Sequence, residues 1–417
     1  MTQSELHVAI VGGGLGGLAA ALFLRRAGVE ATVYEQAREL REVGAGIVVA
    51  PNMVRLLVHL GLADRLAEFA VPLEAAWEFR RWADGQVLSS QPMGEVCERL
   101  YGANCFVAHR ADLLTMLHEA LTGVAGDALR LDRRCVALSQ DDTGVEVVFA
   151  AADGTRTTIT VDAVIGADGI HSAVRPMFVS EEPPRFSGLC AYRCLVPAAD
   201  APEMALLPRQ TLWLGPERHF VHYPISGGRL VNVVAIVPAG DWRVESWTAD
   251  GDVAELAAEF ETWDECVRRL IACATDTKRW ALYDHSPLER WGAGRVTLLG
   301  DAAHAMMPFF GQGASQSLED AAVLAGCLEA VTSDGVAGAL RRYEEIRRPR
   351  TAMVQVMSRG RGEHNHLPDG PAQRRRDLAL AGAEPLRQTA WLYGLDPYGR
   401  EITAGRVERG ADIDEFR

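Results

Sequence analysis

The spacing of apolar positions changes along the chain, and each change marks an element. Residues 6–11, LHVAIV, form a continuous apolar run, the pattern of a strand buried on both faces. GGGLGG breaks that run, and LAAALFLRRAG follows as a small-residue helix closed by Gly28. EATVYEQ reads as a second strand, so the chain begins strand–turn–helix–strand. Helices are predicted over 52–69 and over 109–121, the latter with Asp112 near its start. GVEVVFAAADGTRTTITV alternates with period two around a turn at 152–154 and leads into the short buried strand AVIG. From Phe186 to Val237 strands repeat between turn residues, as in an antiparallel sheet, and tryptophan-bearing helical segments run to about Cys273. RVTLLGD returns to a buried strand and SLEDAAVLAGCLEAV to a long helix. The last forty residues are Arg-rich and polar; HNHLPDG reads as a loop, and the tail after Gly405 as loose.

This order predicts an α/β fold with an α+β insert. A discontinuous Rossmann-like domain takes residues 1–75, 100–180 and 280–345, and an inserted, mainly antiparallel sheet domain takes 76–99 and 181–279. A C-terminal helical segment and tail cover 346–417. The length of 417 residues suits one large or two interleaved domains. A formal net charge of −14 argues against nucleic acid or an anionic membrane as partner. The eight cysteines include no CxxC pair, so no metal site is expected and buried thiols in a reducing compartment are. Cys190 and Cys194 share parity on a predicted strand, a weak signal for a pair. No apolar run is as long as a membrane span, and no basic region precedes the N-terminal one, so the cytoplasm is the expected setting.

Three stretches carry chemistry. In the first, Gly12-x-Gly14-x-x-Gly17 lies between a buried strand and a helix, with Glu35 ending the second strand. Bare backbone there lets a pyrophosphate approach the helix N-terminus, and the carboxylate is placed for ribose hydroxyls. In the second, VIGADGIHSAVR, a buried strand delivers Asp168 and Gly169 to a turn, with Arg175 following; an ordinary strand-ending turn with an exposed arginine would look the same. The third, LLGDAAHAMMPFFGQGASQS, sets Asp301 at a strand end to accept from a sugar hydroxyl. There Pro308 makes a stiff apolar wall, and Gly311 and Gly313 free the backbone before a helix at Ala314.

Taken together, GGGLGG…YEQ, GADGIHSAVR and GDAAHAMMPFFGQGASQSLEDA resemble the three signatures of the single-component, FAD-dependent class A aromatic hydroxylases. The likeness runs through nearly the whole chain, including HRADLL and WLGPERHFVHYP. Within the class it is most similar to salicylate hydroxylases, 6-hydroxynicotinate 3-monooxygenases and 3-hydroxybenzoate 6-hydroxylases. The resemblance implies a fold of the p-hydroxybenzoate-hydroxylase type, FAD and NAD(P)H as cofactors, and O₂ and a small aromatic acid as substrates. It implies oxygen transfer through a flavin C4a-hydroperoxide and leaves room for a homodimer. Cofactor contacts are then expected at Gly12, Gly14, Leu15, Gly17, Glu35, Gln36, Arg110, Val136, Asp168, Gly169, Asp301, Gly311, Gly313 and Ala314. Pro308 would stand near the flavin carbon that receives oxygen.

On RHFVHYP the two-residue period places His219, Val221 and Tyr223 on one face and Phe220 and His222 on the other. His219 and Tyr223 match positions that related hydroxylases use to hold and deprotonate a phenol, and a histidine suits that proton transfer. Two departures narrow the substrate. Val48 follows GAGI where pyridine-type relatives carry histidine, and Pro308 stands where 3-hydroxybenzoate 6-hydroxylases carry glutamine. Arg80, Arg81 and Arg193 are candidates to pair with a substrate carboxylate. The expected reaction is hydroxylation of a salicylate-like phenolic acid, with decarboxylation if the carboxyl-bearing carbon is attacked. A tailoring oxygenase for a larger aromatic metabolite and an FAD-dependent reductase or sensor are the alternatives.

Overall fold

The computed structural model describes residues 6–40, 45–245, 249–382 and 384–401. The strands His7–Val11 and Ala163–Gly166 are buried nearly end to end because both lie inside one parallel sheet. Its order is Val296–Leu298, Ala163–Gly166, His7–Val11, Glu30–Tyr34 and Leu129–Arg130, every neighbour parallel. Helix Leu15–Arg26 covers one face and packs on helix Gly313–Leu328. Small residues permit that approach: a Cβ at Gly16 would lie 2.9 Å from Leu299 Cδ2 and 3.1 Å from Ser317 Cβ. An antiparallel meander, Arg134–Gln140, Val145–Ala150 and Arg156–Val161, flanks the sheet, and its Phe149 stacks on Tyr34 with ring centroids 4.3 Å apart.

The middle of the chain forms a seven-stranded sheet. Its order is Lys278–Asp284, Arg185–Pro197, Leu230–Pro238, Arg218–Ile225, Arg209–Gly215, Ala76–Arg81 and Val87–Gln91. All neighbours are antiparallel except Arg209–Gly215 with Ala76–Arg81. One face buries Cys190, Tyr192, Cys194, Trp213 and Phe220 under the helices Val253–Glu259 and Glu265–Ala272. Aspartates cap both helices, Asp252 accepting from the Ala254 N–H at 2.6 Å and Asp264 from Cys266 at 2.9 Å. The opposite face looks back toward the parallel sheet. A short three-stranded sheet, Gly46–Val49, Phe106–His109 and Val71–Pro72, bridges the two, with Gly46 N–H donating to Asn232 Oδ1 at 2.7 Å.

Two elements differ from the pattern-based expectation. The helix expected over 52–69 is two, Pro51–His59 and Ala63–Phe69, because Gly61 takes φ +73° and turns the chain. The helical segment expected from 346 is part of a 30-residue helix, Val336–Asn365, which runs through Pro349, crosses the expected boundary at 345 and takes His364 and Asn365 of the expected loop HNHLPDG into its last turn. Tertiary packing supports that helix, since its buried polar residues Arg347, Gln355 and Ser358 face other elements. The expected loose tail lies outside the described residues.

Candidate active site

One continuous cavity of about 680 Å³ runs from the glycine turn after the first strand to the open face of the seven-stranded sheet. Its near end is built from sharp backbone. Gly12 takes φ +109°, and a Cβ there would fall 2.4 Å from the Ala167 carbonyl oxygen. Gly14 has open space where a side chain would be, so the cavity meets bare backbone at the start of Leu15–Arg26. That helix has no side-chain cap, which leaves its first-turn N–H groups directed at the cavity. The Glu35 carboxylate accepts from Gly13 N–H at 2.7 Å and from Ala37 N–H at 2.8 Å, which fixes it at the rim.

Asp168 ends the central strand pair. Its Oδ2 accepts from Ala173 N–H at 2.7 Å and Val174 N–H at 3.2 Å, while the buried Oδ1 has no protein partner. Burial raises its carboxyl above the usual range, against the pull of hydrogen bonds from Ser172, Val174 and Ala173. Arg175 is buried rather than exposed. Its guanidinium donates to the carbonyls of Ile170 at 2.8 Å and Ala302 at 3.1 Å, tying the Asp168 turn to the segment that follows Asp301.

Asp301 opens a short helical turn after Gly300, whose φ of +64° reverses the chain, and both Asp301 and Pro308 line the cavity. Gly311, at φ +61°, lets Val48 approach to 3.3 Å of where a Cβ would stand. Helix Gly313–Leu328 then begins without a side-chain cap and presents a second bare N-terminus to the same space. Two uncapped helix starts, an orphaned buried carboxylate oxygen and a Cβ-free cradle fit an elongated dinucleotide with a polar ring edge. Of the expected contacts, Gly12, Gly14, Leu15, Glu35, Gln36, Arg110, Asp168, Gly169, Asp301, Gly311, Gly313 and Ala314 line the cavity. Gly17 does not: it packs inside the helix, where a Cβ would meet the Gly12 carbonyl at 2.0 Å. Val136 also stands aside, and Arg133, Arg134 and Cys135 form the wall there.

At the far end the two-residue period holds. His219, Val221 and Tyr223 face the cavity, while Phe220 and His222 are buried on the reverse face. His219 Nδ1 lies 2.6 Å from His366 Nε2, which belongs to the stretch HNHLPDG that carries no site motif. Burial, then His366 and Arg361, hold His219 well below the ordinary imidazole range, so it is neutral near pH 7. Burial pushes the Tyr223 hydroxyl up, partly countered by Arg193, so it stays a protonated donor. Arg193 lines the cavity and lies 3.4 Å over the Trp280 ring. Arg80 instead binds Glu78 at 2.6 Å, and Arg81 pairs with Asp84 on the surface.

Behind the cavity lies a buried ionic network that the motifs did not reveal. Arg347 donates to Asp320 Oδ1 at 2.8 Å and to Glu319 Oε2 at 2.7 Å, and Arg350 donates to Glu319 at 2.6 and 2.9 Å. Glu319 Oε1 accepts from Asn52 at 2.7 Å, and Asn52 also donates to Gln312 at 3.0 Å, at the cap of the second helix start. Asp320 Oδ2 accepts from Gly300 N–H at 3.0 Å and meets His304 at 2.6 Å.

Comparison with known proteins agrees with this geometry. Residues 5–358 match the family model described as an FAD binding domain. The chain is 45% identical over 397 residues to a 3-amino-4-hydroxybenzoate 2-monooxygenase of Streptomyces platensis, covering 95% of this chain and 98% of that one. It is 35% identical over 401 residues to a 3-hydroxybenzoate 6-hydroxylase of Aquipseudomonas alcaligenes, covering 95% and 98%. Among solved structures, the Klebsiella pneumoniae protein HpxO in complex with FAD and uric acid superposes with a TM-score of 0.80 at 29% identity, covering 94% of this chain and 96% of that one. An uncapped double helix start, a carboxylate awaiting a partner and family-wide likeness converge, and the chain belongs to the FAD-binding family of flavin-dependent aromatic monooxygenases that draw on NAD(P)H.

Proposed function

We propose that the protein hydroxylates a single-ring aminohydroxybenzoate or hydroxybenzoate in the cytoplasm, and that the residues lining the 680 Å³ cavity divide between cofactor and substrate. The observation that carries this reading is the polarity of the sheet face. His219 and Tyr223 lie four residues apart on one strand, roughly 13 Å along it. A neutral imidazole that accepts stands at one end, and a hydroxyl that donates stands at the other with Arg193 nearby. A benzoate with a hydroxyl opposite its carboxyl spans about that distance once two hydrogen bonds of about 2.8 Å are added. The 45% identity to a 3-amino-4-hydroxybenzoate 2-monooxygenase supports this class over a salicylate-like or larger substrate.

In this reading Gly12, Gly14 and the start of Leu15–Arg26 hold the FAD pyrophosphate, Glu35 the ribose, and Asp168 and Asp301 the sugar chain. The uncapped N-terminus of Gly313–Leu328 would stabilise the negative charge that reduction places on the flavin. Bound FAD supplies transfer of one oxygen atom from O₂ after reduction by NAD(P)H. The chain supplies the rest. Pro308, Val48 and Phe309 wall the reacting space with apolar groups and exclude water. Arg193 and Tyr223 fix the carboxylate. His219 Nε2 takes the hydroxyl proton, which leaves an oxyanion that enriches the ring toward an electrophilic oxygen.

The test is a panel of phenolic acids, scored for stimulated NADH and NADPH oxidation together with the hydroxylated product by mass. 3-Amino-4-hydroxybenzoate should couple best. If every acid yields peroxide alone and no hydroxylated ring, the proposal fails.

A further inference from the structure

The His219–His366 contact leads out of the cavity. His219 is 3% exposed and meets the cavity on one side. Its Nδ1 is taken by His366 Nε2 at 2.6 Å, which leaves Nε2 for the substrate. His366 is only half-buried. It follows the last turn of Val336–Asn365, accepts through its carbonyl from the N–H of exposed Glu217 at 3.0 Å, and precedes exposed Pro368 and Asp369. The two rings are held by a third: Phe309 sets its edge against His219 at 5.3 Å and against His366 at 6.1 Å. Phe309 in turn sits against Gly362, where a Cβ would be 2.4 Å from its ring, so no larger residue fits that turn of the helix.

Resting on the substrate reading above, we propose that His366 is a proton-relay residue acting through His219, carrying the ring hydroxyl proton of the bound aromatic acid to the protein surface. The substrate O–H bond breaks as an N–H bond forms at His219 Nε2. The proton on His219 Nδ1 passes to His366 Nε2, and the proton on His366 Nδ1 leaves to water. Each imidazole ends neutral in its other tautomer, and the reverse sequence, on reprotonation of the product oxyanion, resets both. While the substrate is ionised neither ring carries a charge, whereas a single buried histidine without a partner would hold the proton as a buried imidazolium. The surroundings oppose storing a proton on the pair. His219 faces Arg361, and His366 faces Arg218 and Arg376, cations that with burial keep both rings neutral. A group that cannot hold the proton passes it on.

The experiment uses the FAD-loaded full chain without NAD(P)H. Stopped-flow mixing with 3-amino-4-hydroxybenzoate in weakly buffered phenol red reads proton release, and the flavin absorbance reads binding. The wild type should release a proton with binding. His366→Gln keeps a polar atom near the Nε2 position but cannot titrate. It should leave the flavin change intact and slow release about 100-fold. His366→Ala should behave likewise and recover with added imidazole, a rescue that a purely structural role would not show. Release at the wild-type rate in His366→Gln overturns the relay, as does a wild type that binds without releasing a proton. A flavin spectrum that the ligand does not move in the wild type overturns the substrate reading and the relay with it.

Discussion

Replacing Arg347 with methionine tests how the cofactor segment is held. The guanidinium is fully buried and makes five hydrogen bonds, to Asp320, Glu319, the Pro397 carbonyl, and the carbonyl and side chain of Gln316. Both carboxylates are as buried as the arginine. Burial pushes the Glu319 carboxyl up, but Arg347 and Arg350 outweigh it and hold Glu319 below the usual range. Methionine keeps the apolar stem and removes the charge. Arg350 still neutralises Glu319, and His304 still meets Asp320 Oδ2, so the loss centres on Asp320 Oδ1. Removing one partner of a buried pair costs about 3–5 kcal/mol. With unfolding entropy near 2.1 cal/mol/K per residue, that is a fall in Tm of about 3–6 °C for a chain of this length. The half-exposed pair Arg65–Glu119 gives the contrast, and Arg65→Met should cost under about 1 kcal/mol. The network reaches Gln312 through Asn52, so Arg347→Met should also purify with less bound flavin. Thermal melts of the loaded protein and the 450 nm to 280 nm absorbance ratio read both effects. An Arg347→Met protein that melts with the wild type and keeps its full yellow colour refutes the reasoning.

Two further outcomes follow from the site. Arg193→Met should raise KM for the aromatic acid at least about tenfold with a smaller change in kcat, because a charged hydrogen bond to the carboxylate is worth about 1.5–3 kcal/mol in ground and transition state alike; Arg81→Met, on the surface, should leave steady-state kinetics alone. Stability should fall on acidification. Burial with neighbouring arginines lowers His366 to about 4 and His222 to about 3, so each binds a proton in the unfolded chain from pH 6.5 downward and in the folded one only later. The contribution is intact above pH 6.5 and is lost toward pH 4, at up to roughly 3 kcal/mol per pH unit for the two together. Urea midpoints that stay flat between pH 7 and 5 would contradict this.

Local signals were readable wherever one residue type has one backbone use. Gly12 and Gly14 announce a turn that side chains would block, and the structure places both at the cavity wall. Gly17 belongs to the same signature, yet its absent side chain serves helix-to-strand contact instead, a distinction that spacing does not carry. The strand Arg218–Ile225 was readable because parity alone decides which side chains share a face. Boundaries were less so: Gly61 breaks a helix whose apolar spacing continues across it.

What the sequence concealed are partners joined only by the fold. Glu319 and Asp320 sit in a stretch that reads simply as a long helix, and no motif or period singles out Arg347. Only the packing of Gly313–Leu328 on Val336–Asn365 turns them into buried ion pairs whose partners are 27 and 28 residues apart in sequence. His366 is the extreme case, 147 residues from His219 in a polar loop, and nothing around it has a period. Its placement depends on a 30-residue helix surviving an internal proline, and on Gly362 being bare so that Phe309 can close against both rings. The same Phe309 follows Pro308, so the wall beside the reacting ring and the clamp on the two histidines are one rigid turn. A substitution that loosens that turn, such as Pro308→Ala, should therefore disturb oxygen coupling and proton release together, whereas two independent devices would separate them.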